Sequence, residues 1–71
     1  MINKQVAFTG TEKRVIRALY WLDRWATINE IAEVANMSWN TANTIIKKFY
    51  GKRILNRKTI NGKIHWRINN F

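Results

Sequence analysis

The chain has no cysteine, no proline, one histidine and only four carboxylates in 71 residues. Each shortage removes a class of function. Without thiols there are neither disulfides nor thiolate metal sites, and an intracellular location is expected over a secreted one. One histidine and four scattered acids do not assemble a first-row metal site, so no metal or cofactor is expected. They also leave no acid–base pair and no nucleophile with a partner, and the chain reads as something other than an enzyme. No apolar run approaches the roughly 20 residues that span a bilayer, and MINKQVAF has no signal-peptide core, so no membrane partner is expected.

The acids are scarce and also confined: Glu12, Asp23, Glu30 and Glu33 all precede residue 34. Five cations accompany them there (Lys4, Lys13, Arg14, Arg17, Arg24), a net charge of 5 − 4 = +1. From Ala35 to Phe71 stand Lys47, Lys48, Lys52, Arg53, Arg57, Lys58, Lys63 and Arg67 with no acid, so this half carries +8 of the total +9. An excess this lopsided is the electrostatic footprint of a polyanion-binding surface. A hydrophobic content of 46% with 13% aromatics is that of a folded domain rather than a basic tail. At this length there is room for one small core and no small-molecule pocket.

Residues 1–8 read as an N-terminal arm and 9–71 as a single domain. Thr9 and Glu12 have capping-box spacing. Beyond them Val15, Leu19, Leu22 and Ala26 recur at three or four residues, which predicts a helix to about Trp25. Thr27 and Glu30 repeat the capping box ahead of a short helix with Ile28, Ile31, Ala32 and Ala35 on its inner face. Asn36 tolerates the left-handed conformation that ends a helix. Ser38 caps a third helix, Trp39 to about Tyr50, whose inner face is Ala42, Ile45, Ile46 and Phe49 and which Gly51 is expected to stop.

Then the period changes. Ile54 to Ile60, Asn61-Gly62 and Lys63 to Ile68 predict a hairpin with a two-residue type I′ turn. Counting outward from the turn pairs Ile60 with Lys63, Thr59 with Ile64, Arg57 with Trp66 and Leu55 with Ile68. The face of Leu55, Ile64, Trp66 and Ile68 should cover the helices, with Lys58, His65 and Arg67 on the other side. The expected fold is mainly α with a small β-hairpin (α+β): three helices plus a two-stranded wing, the winged helix-turn-helix layout.

IAEVANMSWNTANTIIKKFYGKRILNR, with a hairpin ending in HWRIN, resembles DNA-binding domains of the MarR and ArsR regulator type. The matching positions are Ala32, Asn36, Met37, Ser38, Ala42 and Ile45, and TEKRVIRALYWL resembles their first helix. The likeness covers about residues 10–69. Two departures are Asn36, where the turn usually carries glycine, and Ala42, where a larger aliphatic is common. The resemblance implies a small transcriptional regulator that binds double-stranded DNA. An alternative from another class is a winged-helix module for protein interaction or nucleoprotein assembly, including RNA binding.

In a helix-turn-helix the N-terminal turns of the second helix lie nearest the bases. Asn40, Thr41, Asn43, Thr44 and Lys47 are therefore the candidate base contacts: asparagine matches the adenine edge, and threonine offers a hydroxyl or a methyl. Ser38, Trp39, Lys48, Lys52, Arg57, Lys58, Lys63, His65 and Arg67 are the candidate backbone and wing contacts. Trp39 is expected to be partly buried against the hairpin, and Trp66 to belong to the core. Asn43 and Trp66 also align with two of three residues used by Z-DNA-binding domains of this fold, but Lys47 stands where those have tyrosine. On the first helix, Trp21 points away from the inner face beside Arg14 and Arg17. The arm (Val6, Phe8) or a second copy in a homodimer is expected to cover it.

Overall fold

The computed structural model describes residues 8–69. Its elements follow in the order α1 (Gly10–Leu22), α2 (Ile28–Ala35), α3 (Trp39–Gly51), β1 (Leu55–Ile60) and β2 (Lys63–Ile68). This is an α+β, winged-helix-like topology. Both capping boxes form: Thr9 Oγ1 accepts from the Glu12 N–H while Glu12 Oε1 accepts from the Thr9 N–H, and Thr27 with Glu30 does the same. Ser38 Oγ caps α3 by accepting from the Thr41 N–H.

The helix ends differ from expectation in two places. α1 stops at Leu22, three residues early, because Asp23 takes φ 45° and its N–H bonds back to the Leu19 carbonyl. That frees Ala26 to run extended and form an isolated antiparallel bridge with Trp66, exchanging both backbone hydrogen bonds. Ala26 is fully buried in this bridge and not on a helix face. At the end of α3, Gly51 remains helical. The left-handed residue is Arg53, φ 63°, with the Ile54 N–H bonding the Phe49 carbonyl and the Arg53 N–H bonding that of Tyr50. This is a Schellman ending, and Asn36 makes the same pattern after α2, as expected.

The hairpin register agrees with the one counted from Asn61-Gly62, including Arg57 opposite Trp66 and Leu55 opposite Ile68. Both turn residues have positive φ, 51° and 78°, as a type I′ turn requires. Leu55, Trp66 and Ile68 join the core of Val15, Ala18, Leu19, Ile31, Ile45, Ile46 and Phe49. Ile64 does not: it is 46% exposed near the wing tip, where it borders an open cleft in place of the closed core. Trp66 packs edge to face on Tyr50, centroids 5.5 Å apart, and its buried indole N–H has no hydrogen-bond partner among the described residues.

The expected arm, residues 1–8, lies outside the described residues except for Phe8. Phe8 packs edge to face on Phe49 at 5.7 Å and belongs to the edge of the core. Among the described residues no helix is long and apolar enough to cross a membrane.

Candidate nucleic-acid interface

Burying Ala42, Ile45, Ile46 and Phe49 leaves the opposite side of α3 open to solvent. Asn40, Thr41, Thr44 and Lys47 are exposed there and Asn43 is half-buried, so the five candidate base contacts share one accessible surface. Their polar groups are not equally free. The Thr44 hydroxyl donates to the Asn40 carbonyl at 3.0 Å, so it offers an outside partner lone pairs and a methyl. The Thr41 hydroxyl accepts from Ser38 Oγ at 2.9 Å, which ties it to the cap. Asn40 and Lys47 have no side-chain bond among the described residues.

Lys48 departs from its expected role. It turns toward α1, and its ammonium sits 2.6 Å from Glu12 Oε2, whose side chain is 8% exposed. Glu12 thus closes its own capping box with one oxygen and holds α3 with the other. The Lys48 ammonium, seconded by the Thr9 N–H, keeps this carboxyl below its usual range despite burial. Glu30 is lowered likewise, mainly by the Thr27 N–H and further by Arg24 at 3.4 Å.

On the wing, Lys63 is exposed at the tip and carries no ion pair among the described residues. Arg57 lies over the Tyr50 ring at 5.3 Å, and Lys58 over the Trp25 ring at 4.9 Å, so both are steered by aromatic faces while remaining exposed. Arg67 is drawn to Asp23, 3.7 Å away, and is not a free cation. His65 is half-buried and donates from Nδ1 to the Lys63 carbonyl at 2.9 Å. Lys52 is exposed just past α3. Of the expected cationic contacts, Lys47, Lys52, Arg57, Lys58 and Lys63 have no carboxylate within pairing distance among the described residues, whereas Lys48 and Arg67 do.

The surface expected to meet a partner also divides. Trp21 is 79% exposed and borders a recess with Arg17 and Val34 between α1 and α2. Phe8 is not part of it. Arg14 lines the same recess and also serves the fold, because its guanidinium donates to the Ala35 and Asn36 carbonyls and completes the C-terminus of α2.

Sequence reading placed Trp39 against the hairpin but did not foresee that the two leave an open cleft between them. Its walls include Trp39, 47% exposed, and Ile64, and it is lined further by Asn29, Asn43, Lys47 and Lys63. That both Trp39 and Ile64 stay nearly half exposed depends on the spacing of α3 and the wing, which residues far apart in sequence do not signal.

No family model matches the chain, and no curated protein sequence matches it. Among solved structures, a point variant of ZitR from Lactococcus lactis superposes over 99% of this chain with a TM-score of 0.72 and 15% identity. The chain spans 49% of the length of that protein. A likeness at this identity shows a shared fold.

Proposed function

We propose that this protein binds double-stranded DNA as a small transcriptional regulator, with α3 in the major groove and the hairpin as a wing on the adjoining backbone. The observation that carries the reading is the outer side of α3. It is unobstructed, bears short polar groups on its first turns and Lys47 beyond them, and is continuous with the cations of the wing. All four acids belong to the first two helices and the turn between them, and Glu12, Asp23 and Glu30 are held in ion pairs. A duplex approaching α3 meets cations, amides and hydroxyls. Short groups then specify base edges, and long cations hold register on phosphates. The resemblance of α2 and α3 to MarR- and ArsR-type domains supports the same reading. Residues 9–71 act as the binding domain in it.

Two measurements test the proposal. Five phosphate contacts, from Lys47, Lys52, Arg57, Lys58 and Lys63, give log K a slope of about −4.5 against log salt, at about −0.9 each. Selection of bound sequences from a random duplex pool should return a shared motif. An affinity indifferent to salt overturns the reading.

A second reading draws on the exposed Trp21 and Val34, which suit a protein partner or a second copy of this chain. Sedimentation of wild type and Trp21→Ala separates the two: a homodimer through this surface dissociates in the variant.

A further inference from the structure

The cleft between α3 and the wing has a composition that phosphate binding does not require. We infer that it takes an unpaired nucleobase of a DNA strand, stacked on Trp39, with the flanking phosphates held by Lys47 and Lys63. The inference rests on the DNA-binding reading above and adds a ligand that an intact duplex does not offer.

The cleft has a volume of about 480 Å³, within the roughly 300–1,000 Å³ of ordinary ligand clefts. Its walls are Trp39 on the first turn of α3 and Ile64 on β2, each nearly half exposed, and the buried Trp66 borders it. Large apolar groups left open to water beside a cationic surface call for a ligand with a flat apolar part and an anionic part. Lys47 stands on the helix side and Lys63 on the wing side, and no carboxylate lines the space. Asn43 and Asn29 bring amides, each able to donate and to accept. A nucleotide combines these features: a π-face for the indole, edges for the amides and a phosphate for the lysines. Inside a duplex the faces of the bases are covered by stacking, so only an unpaired base can enter.

The test compares a blunt duplex with the same duplex carrying one unpaired 5-iodouracil. The bulged form should bind about tenfold or more tightly, since stacking of one base on an aromatic side chain has an effect of that order. Ultraviolet irradiation should cross-link the unpaired base to Trp39, located by mass spectrometry. Trp39→Ala should remove the difference in affinity between the bulged and the blunt duplex, the quantity that stacking on the indole creates. Because Trp39 is exposed on the first turn of α3, the variant should keep wild-type circular dichroism. Should it not, the wild-type affinities and the cross-link decide alone. Equal affinities with no cross-link at Trp39, alongside steep salt dependence, overturn the cleft assignment and leave duplex binding standing. Failure of both DNAs to bind overturns both.

Discussion

Lys47 and Lys48 are neighbours of one type on one helix, and their surroundings separate them. Lys47 projects into solvent from the outer side of α3, whereas Lys48 is held by a nearly buried carboxylate thirty-six residues earlier. Lys47→Met should reduce the salt slope by about 0.9, the share of one phosphate. Lys48→Met should leave the slope alone and change the response to acid. Glu12 is lowered from its ordinary value of 4.5 by the Lys48 ammonium first and the Thr9 N–H second. A folded carboxyl lowered in this way binds fewer protons than the unfolded chain does. Its contribution is therefore present above pH 4.5 and is lost as pH falls through the folded value. Melting temperatures from neutral pH to about pH 3 should fall at the acid end. The fall should be shallower in Glu12→Gln, with the residual from Glu30, which is lowered in the same sense. On the reading side, Asn40→Ala should remove about 1–3 kcal/mol of discrimination at one base pair, measured on matched and substituted sites. Equal losses on every site would make Asn40 a positioning residue.

Among the elements, the hairpin depends on a contact that its own sequence does not contain. Trp66 pairs with Arg57 in the ribbon and with Ala26 in the bridge, so it ties the wing to the segment between α1 and α2. Removing the ring by Trp66→Ala should cost about 3–5 kcal/mol of unfolding free energy. Trp66→Phe should cost less than Trp66→Ala, because it leaves a smaller cavity and the indole N–H has no partner to lose. Denaturant unfolding of the two variants checks the contrast. The turn between α2 and α3 is set by backbone conformation. Asn36 holds φ 58°, and Asn36→Val should destabilise by about 1–2 kcal/mol because a β-branched side chain resists the left-handed region. Asn36→Gly should be tolerated, since glycine enters that region without penalty.

For the molecule as a whole, the imbalance of charge along the chain becomes a division between elements. The acids sit on α1, α2 and the turn after α1, and three of the four are paired. The acid-free half forms α3 and the wing. On the proposed DNA-binding reading, association rates should fall steeply as salt rises, a dependence that stopped-flow mixing measures. The Trp21 recess lies between α1 and α2, apart from α3 and the wing. A partner or second copy that covers it leaves α3 and the wing open.

Local chemistry in the sequence was enough to determine the order of the elements, both capping boxes, the left-handed Asn36, the type I′ turn and the strand register. Each depends on residues a few positions apart, and helical and strand periods are visible over such distances. The tertiary structure alone decided which cations stay free, that Ala26 and Trp66 form a bridge, that Phe8 lies on Phe49, and that Trp39 and Ile64 face a common cleft. Those outcomes depend on distances between side chains that periodicity does not relate. A lysine one step around the helix meets water or a buried carboxylate according to where another helix happens to pack.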